Sequence, residues 1–563
     1  MLKFFKKSAF AFLIFFTFLS LSNAQISDEQ LLNNAKKMEK IINDGLKKLH
    51  IPAATLSISR SNKVIYTKAF GKTTIPNNSP QNVTSKTLFP VSSVSKNVTA
   101  ILVGALVDEG KLSFGDKVRK YLPNLFICNE EFSEKLTILD LISHRCGLKN
   151  FSGDTLFKAN YDNDKILAIF KYLKQRPGEF RKIYAYQNII YGIVGMVLEK
   201  ATGEKYEDLV RKYIFDKMDM NCSSAIRIDA ESSKIGYFKY LLSRFSYDSK
   251  KSGFFKSIWN LFYLPLTHDS KSVVTSHSRS MDEIIPLDTI GFFQKFPATA
   301  GISLSAEDFG KWLVMLSNKG RYKDKQIVSE KTFEILTSNL AEITNLKDND
   351  CTFVNTRYSR NDLYYGAGFF NGTYFNNGNN GRHIFFHMGG IYGATAFFAV
   401  SPKDDIAVGV ICNLGGVAQT LFCEYMVNQF LDLSFNFSKI DWVQADLDRK
   451  NYYSNKQHEF QKQLEERNIE PIEDLKNYTG VYSSEIYGNI KVFEKNNNLF
   501  ITNGIKTAKL THINGNNFSF LSKDLMFVFF DENEYIFFSK EGDKIESCFI
   551  SCFDENKTRF IKK

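Results

Sequence analysis

A polar segment near the C-terminus constrains the fold most strongly, because it divides the chain into two parts with different sequence patterns. Residues 436–475 are charged and helical in pattern, and the pattern ends near Pro471. At 563 residues the chain is too long for one compact core, and roughly 100–200 residues per domain allows two to four domains. We therefore interpret 436–475 as a helical linker between two domains.

The part after the linker, residues 476–563, consists of short strand-like runs separated by turn signals. Asn496–Asn498 and Asn514–Asn516 are two of these signals. Short strands at regular spacing, with turns between them, are typical of small antiparallel structures. This pattern predicts a small antiparallel β-barrel or sandwich.

The part before the linker, residues 25–435, mixes helical and strand patterns. Apolar residues at helical spacing within 31–46 predict a helix, and alternation on both sides of a polar turn at Arg60–Lys63 predicts two strands. Later segments such as YGIVGMVLEKATG and AEDFGKWLVMLSNKG again have helical spacing. This order predicts an α/β (α+β) domain.

The first 24 residues have the layout of a secretory signal peptide. Three lysines within the first seven residues precede an apolar stretch over about 9–21, and residues 22–24 place small side chains before a cleavage site. The apolar stretch is short for a bilayer span, although an uncleaved membrane anchor is the alternative. We expect cleavage near Ala24–Gln25 and export, with the periplasm as the expected location.

Charge, cysteine and histidine content argue against several function classes. The net charge of +11 is spread along the chain without a run of five or six basic residues, so we expect no nucleic-acid partner. The eight cysteines are irregularly spaced, and Cys548 and Cys552 are too far apart along one strand to pair with each other. The histidines show no HExxH pattern, so we infer neither a metal site nor a cofactor.

The stretch FPVSSVSKNVTAILVGALVDEG carries the first candidate site. Its apolar residues predict a helix that begins near Ser93 and runs to about Glu109, where Gly110 stops it. Ser93 would therefore lie at the positive, N-terminal end of the helix. The apolar stripe consists of Val94, Val98, Ile101, Leu102 and Ala105.

Lys96 follows Ser93 by three residues, and side chains at this spacing are neighbours on a helix. Burial and the positive helix end would lower the pKa of the lysine, so that a neutral amine could accept the serine proton. The backbone N–H of Ser93 would be one oxyanion donor. Neither Ser92 nor Ser95 has a lysine at this spacing. Alone, this spacing is weak evidence for catalysis, because a serine that caps a helix beside a surface lysine has the same sequence pattern.

Several further segments resemble the serine β-lactamase and penicillin-binding-protein superfamily, in the branch of class C β-lactamases and D-alanyl-D-alanine carboxypeptidases. The resemblance covers roughly residues 30–430 and implies an antiparallel sheet flanked by helices. The tail that begins LKNYTGVYSS resembles a β-rich accessory domain often appended to such hydrolases. The matching segments are 88–123, 136–148, 177–220 with the motif Tyr186-Gln187-Asn188, 297–313, and 385–413 with the motif His387-Met388-Gly389.

The resemblance implies roles for the residues that occupy the first two motifs. Ser93 would be the nucleophile that forms an acyl-enzyme, and Lys96 would be its activating partner. Tyr186 would be a second partner that moves a proton among the serine, the leaving group and water. Asn188 would hydrogen-bond both Lys96 and the amide of the substrate.

The third motif carries the expected substrate contacts and also a departure from the class C pattern. The backbone N–H of Gly390 would complete the oxyanion hole, and Gly389 would let the substrate approach the strand edge. His387 stands where class C β-lactamases have lysine, and neutral imidazole recognises a substrate carboxylate more weakly than an ammonium does. Met388 replaces a small hydroxylic residue and removes a hydrogen bond to the substrate. We therefore expect peptidase, amidase or esterase activity ahead of efficient β-lactam hydrolysis.

Together these features predict an exported serine hydrolase that acts through an acyl-enzyme on D-amino-acid peptide, amide, ester or β-lactam carbonyls. Its partner would be a small molecule or a cell-wall peptide. One alternative is a penicillin-binding sensor or transpeptidase that is acylated without efficient turnover. Another is a catalytically inactive binding module, against which the intact serine, lysine, tyrosine and asparagine argue.

Residues 227–290 match none of these segments, and we interpret them as an insert that forms a lid over the cleft. The alternative is peripheral membrane contact, because 251–266 combines four large apolar residues with basic neighbours in an amphipathic pattern. Deleting 250–268 is expected to alter the substrate range and to leave liposome binding unchanged, measured by kinetics on a substrate panel and by vesicle co-sedimentation. Lost liposome binding would contradict the lid interpretation.

Overall fold

The fold is taken from a computed structural model. The structure describes residues 26–75, 80–154, 166–168, 170–225, 273–280, 283–287, 297–344, 357–376, 379–391, 393–415, 420–466, 473–504, 506–521, 533–551, 553 and 558–563. The predicted signal peptide, the segment 251–266 and most of the insert 227–290 lie outside these residues. Within the described ranges, no helix is both long enough and apolar enough to cross a membrane.

An eight-stranded antiparallel sheet forms the centre of the larger domain. Its strands are β1 (Ala53–Ser59), β2 (Val64–Gly71), β3 (Ala341–Glu342), β4 (Tyr358–Tyr365), β5 (Phe370–Asn376), β6 (Asn379–Ile391), β7 (Ala394–Ser401) and β8 (Ile406–Cys412). Their spatial order is β3-β4-β5-β6-β7-β8-β1-β2. Because β1 pairs with β8, the beginning of the domain is joined to its end.

Helices and short strands surround this sheet. The helices are α1 (Asp28–Lys48), α2 (Ser95–Asp108), α3 (Glu130–Lys135), α4 (Ile138–Ile142), α5 (Asn188–Thr202), α6 (Tyr206–Val210), α7 (Pro297–Ala300), α8 (Ala306–Ser317), α9 (Glu330–Leu336) and α10 (Phe422–Phe435). Short strands pair Ser303–Leu304 with Phe89–Pro90 and Ser223–Ser224, Ser276–Ser280 with Glu283–Leu287, and Arg321–Tyr322 with Lys325–Gln326.

The sequence of β1, AATLSIS, explains how helices cover both faces of the sheet. The strand is buried along its whole length, and successive side chains alternate between the faces. On one face, Ser57 Oγ and Ser59 Oγ each donate to a backbone carbonyl of α8 at 2.8 Å, so small hydroxyl side chains let this helix approach closely. On the other face, Leu56 and Ile58 pack in the core that α1 and α10 share.

The C-terminal part consists of a helix and a second sheet. Helix α11 (Trp442–Glu466) lies within the segment predicted as a linker. The nine strands that follow are β9 (Gly480–Ser484), β10 (Gly488–Lys495), β11 (Asn498–Thr502), β12 (Thr507–Lys509), β13 (Thr511–Asn514), β14 (Asn517–Leu521), β15 (Asn533–Glu541), β16 (Lys544–Ile550) and β17 (Arg559–Lys562). They form one antiparallel, barrel-like sheet in the order β12-β11-β10-β9-β17-β16-β15-β14-β13. The predicted fold class is therefore confirmed for both parts.

The helix predicted to begin near Ser93 begins two residues later. Ser92–Val94 form a 3₁₀ turn and α2 starts at Ser95. The turn is tight because the N–H of Val94 donates to the carbonyl of Val91 at 3.1 Å. Ser92 has a φ of 52°, in the left-handed region that non-glycine residues seldom adopt. Ser93 therefore stands on a constrained turn rather than in the first turn of an α-helix.

Candidate active site

The junction between the 3₁₀ turn and α2 brings Ser93 and Lys96 together. Lys96 Nζ lies 3.1 Å from Ser93 Oγ. The serine retains 9% of its surface exposed and the lysine 0%. The contact expected from the three-residue spacing is thus made, with the amine beneath the hydroxyl.

Oxygen atoms surround the amine of Lys96 within the described part of the chain. Besides Ser93 Oγ, Lys96 Nζ contacts Asn188 Oδ1 at 2.8 Å and the carbonyl oxygen of Thr299 at 3.2 Å. Burial lowers the pKa of Lys96 to about 7, and the charge of Asp154 acts in the opposite direction. Near neutral pH the lysine is therefore present both as an ammonium and as a free amine.

Tyr186 approaches Ser93 from the other side. Its hydroxyl donates to Ser93 Oγ at 2.7 Å, and the centre of its ring lies 4.7 Å from Lys96 Nζ. The backbone N–H of Tyr186 donates to Asn150 Oδ1 at 2.7 Å, which anchors the segment before α5. The serine oxygen thus lies between a phenol and an amine.

Asn188, the first residue of α5, is held by a buried carboxylate. Its backbone N–H donates to Asp154 Oδ1 at 3.1 Å and its Nδ2 donates to Asp154 Oδ2 at 2.6 Å. Asp154 is only 3% exposed. The sequence pattern does not single out this residue, because a single aspartate in NFSGD belongs to none of the three motifs. Its burial beside Asn188 is a property of the tertiary fold.

His387 lies on β6 with 1% of its surface exposed. A carbonyl oxygen can only accept, so the contact of 2.6 Å with the carbonyl of Met388 places the proton on Nδ1. Nε2 then accepts from the hydroxyl of Tyr365 at 3.1 Å. Burial, reinforced by the nearby charge of Lys96, lowers the pKa of His387 to about 3. The imidazole is therefore neutral near pH 7 and supplies no positive charge.

The end of β6 that follows His387 lies against the turn that carries Ser93. The ladder between β5 and β6 ends at the pair Phe370 and Phe386. Among the described strands, residues 387–391 pair only with β7, in which Thr395 lies opposite Gly390. One side of this stretch is therefore unpaired in the described part of the sheet, and Gly390 is partly exposed there.

Gly389 packs against the turn of Ser93, a contact that the sequence did not predict. An ideal Cβ at this position would lie 2.3 Å from the carbonyl oxygen of Val91 and 2.9 Å from the backbone nitrogen of Ser93. The space that a Cβ would occupy is filled by the turn. Glycine is needed here because the strand and the nucleophile's turn pack backbone to backbone.

Replacing Gly389 with alanine is expected to destabilise the protein by about 1–3 kcal/mol and to slow acylation, because the new methyl group must displace the turn that positions Ser93. Urea unfolding and the rate of ester hydrolysis measure the two effects. Gly115→Ala is the matched control, since only Ser113 Oγ, at 3.9 Å, is near its ideal Cβ. Equal behaviour of the two variants would contradict this role of Gly389.

One hydrogen-bonded network thus contains Ser93, Lys96, Tyr186 and Asn188. Gly389 packs against the turn that carries Ser93. In the part of the chain that the structure describes, no group of three or more His, Cys, Asp or Glu side chains is arranged to hold a metal ion.

Comparison with known proteins identifies relatives of this fold. The family model Beta-lactamase matches residues 38–421. Protein flp from Staphylococcus aureus (strain N315) is 22% identical over 407 residues, which are 71% of this chain and 67% of that protein. Unguisins hydrolase ungD' from Aspergillus campestris is 27% identical over 225 residues, which are 38% of this chain and 40% of that protein.

Two solved structures are similar to this chain in fold. The octameric penicillin-binding protein homologue from Pyrococcus abyssi matches with a TM-score of 0.53 and 18% identity, covering 94% of this chain and 100% of that one. A class C β-lactamase matches with a TM-score of 0.50 and 16% identity, covering 73% of this chain and 98% of that one. These two structures share the fold of this chain. Since the family model matches well over half of the sequence, the chain belongs to the Beta-lactamase family.

Proposed function

We propose that this protein is an exported serine hydrolase that forms an acyl-enzyme on Ser93 and then transfers the acyl group to water. One observation carries the proposal: Ser93 Oγ lies 2.7 Å from the hydroxyl of Tyr186 and 3.1 Å from Lys96 Nζ. A serine hydroxyl is a weak nucleophile unless a base adjoins it, and a buried amine with a pKa of about 7 is such a base.

The hydrogen bonds suggest how the proton moves. Tyr186 donates to Ser93 Oγ, so the proton of the serine itself is free to point at Lys96. As Oγ bonds to the substrate carbonyl carbon, Lys96 takes that proton. When the bond between the carbonyl carbon and the leaving group breaks, Tyr186 gives its hydroxyl proton to the leaving group and is reprotonated by Lys96, which becomes a neutral amine again. A water molecule then attacks the acyl carbon and gives one proton to Lys96. The bond between the acyl carbon and Ser93 Oγ breaks, Tyr186 gives its proton to Oγ and is reprotonated by Lys96, and the carboxylic acid leaves.

The proposed substrates are amides and esters, including D-amino-acid peptides of the cell wall. Support for amides and esters without a free carboxylate comes from His387, which is neutral and buried and therefore provides no cationic contact for a carboxylate such as that of a β-lactam. One curated relative is by name a hydrolase, which favours turnover over a stable acyl-enzyme. The proposed location is the periplasm, because the first 24 residues have the pattern of a signal peptide.

A fluorescent penicillin, p-nitrophenyl esters and a D-alanyl-D-alanine peptide together test this proposal. We expect a label on wild-type protein that is absent from the Ser93→Ala variant and that disappears within minutes, together with ester and peptide hydrolysis. A label that persists, without hydrolysis of any substrate, would identify a sensor or a slow transpeptidase instead. Neither label nor hydrolysis would identify an inactive binding module.

A further inference from the structure

The hydrogen bonds of Asn188 determine which end of its side-chain amide faces Lys96. A carboxylate can only accept, so Asp154 Oδ2, 2.6 Å away, must receive a proton from Asn188 Nδ2. The other end of the amide, Oδ1, is thereby turned toward Lys96 Nζ at 2.8 Å. A second contact, from the backbone N–H of Asn188 to Asp154 Oδ1 at 3.1 Å, fixes the carboxylate itself.

The orientation of Asn188 matters because of what a neutral lysine can do. A free amine has two N–H groups and one lone pair. Among its described partners, Asn188 Oδ1 and the carbonyl of Thr299 can only accept, and they lie 2.8 and 3.2 Å from Nζ. Both N–H groups are therefore used, and the lone pair is directed at Ser93 Oγ, 3.1 Å away.

We propose that Asp154 is a positioning residue for the reaction: by fixing the amide of Asn188, it directs the lone pair of Lys96 at the hydroxyl of Ser93. The inference rests on the proposed function, because it assigns Asp154 a part in activating the proposed nucleophile. If the amide were free to turn, Nδ2 could donate to the lone pair, and the base would then be occupied by a hydrogen bond from Asn188.

Asp154 also places a negative charge near Lys96, which raises the pKa of the lysine. This effect distinguishes the proposed role from a merely structural one. Among the described residues, the titratable groups that influence or face Lys96 are Asp154, His144, His387, Tyr186 and Tyr191. Burial lowers the pKa of both histidines, so neither carries a positive charge near pH 7. Removing the charge of Asp154 should therefore lower the pKa of Lys96 below about 7, since that charge raises it.

The test compares Asp154→Asn, which keeps the shape of the side chain, with Asp308→Asn as a matched control. Asp308 is 1% exposed and accepts from Cys222 N–H and Ser223 Oγ, away from the network described above. The readouts are the pH profile of kcat/KM for a p-nitrophenyl ester and the NMR titration of Lys96 in lysine-labelled free protein.

We expect Asp154→Asn to lower the plateau of kcat/KM at least about tenfold and to move its acid limb to lower pH, whereas Asp308→Asn leaves the acid limb in place. The double variant Asp154→Asn/Asn188→Asp exchanges donor and acceptor, and the carboxylate at position 188 can again only accept from Lys96. It should recover part of the plateau, with the acid limb moved to higher pH by the adjacent negative charge.

An acid limb that stays in place in Asp154→Asn, or a plateau equal to that of Asp308→Asn, would overturn the inference while leaving the proposed function intact. If wild-type protein is not acylated at Ser93, the proposed function fails instead. The lysine titration then decides the inference without a substrate, because an unchanged Lys96 titration in Asp154→Asn overturns it.

Discussion

Replacing Ser93 with alanine is expected to abolish acyl-enzyme formation and to lower kcat/KM for esters and amides by roughly 10³-fold or more. The substitution removes the oxygen that bonds to the substrate carbonyl, and the rest of the network cannot supply another one. Tyr186 and Lys96 keep their places, because other contacts anchor both of them. Hydrolysis rates and covalent labelling of purified variants measure the effect.

Ser92→Ala is the matched control for this experiment. Ser92 is also buried on the same turn, but its hydroxyl donates to the carbonyl of Ala394 at 3.1 Å and not to the catalytic network. We expect this variant to retain activity within about tenfold of wild type, because the loss of one hydrogen bond costs about 1 kcal/mol of stability. Residual activity of Ser93→Ala equal to that of Ser92→Ala would mean that another group is the nucleophile.

The second large effect concerns Lys96 and pH. The free amine accepts the serine proton and the ammonium does not, so kcat/KM is expected to rise as pH increases through about 7 and then to level off. Lys96→Arg keeps the positive charge but cannot lose its proton, because the guanidinium pKa exceeds about 12. This variant should lose about 10²–10⁴-fold in kcat/KM at pH 8 and lose the rise near pH 7.

Initial rates between pH 5 and 9, corrected for spontaneous ester hydrolysis, measure both outcomes. A wild-type profile that is flat through pH 7 would show that Lys96 is not the group whose deprotonation limits acylation. A Lys96→Arg variant that keeps both its rate and its acid limb would lead to the same conclusion by an independent route.

The fold and the main network could be predicted because their signals are local in the sequence. Helical spacing located α1, α5 and α8, and strand alternation located β1 and β2. Ser93 and Lys96 are three residues apart, and Tyr186 and Asn188 are two apart, so each pair is brought together mainly by its own segment. The resemblance of the three motifs then related segments that lie far apart in the chain.

The parts that could not be predicted depend on contacts between distant segments. Asp154 contacts Asn188 only because the turn before it folds back on α5. Thr299 contributes a backbone carbonyl, and a pattern of side chains cannot predict such a contact. The packing of Gly389 could not be predicted for the same reason, since its neighbour is the turn of Ser93, almost three hundred residues earlier. The left-handed φ of Ser92 likewise reflects packing that the sequence SSVSK does not specify.

Locating the acyl group in a quenched reaction tests the central claim most directly. Wild-type protein is mixed with a slowly hydrolysed p-nitrophenyl ester, stopped in acid at intervals, and digested for tandem mass spectrometry of the peptide that contains residues 89–96. We predict one acyl group, on Ser93, that forms with the release of nitrophenol and disappears at the rate of turnover. An acyl group on Ser92, Ser95 or any other residue, or turnover without a covalent species, would contradict Ser93 as the nucleophile.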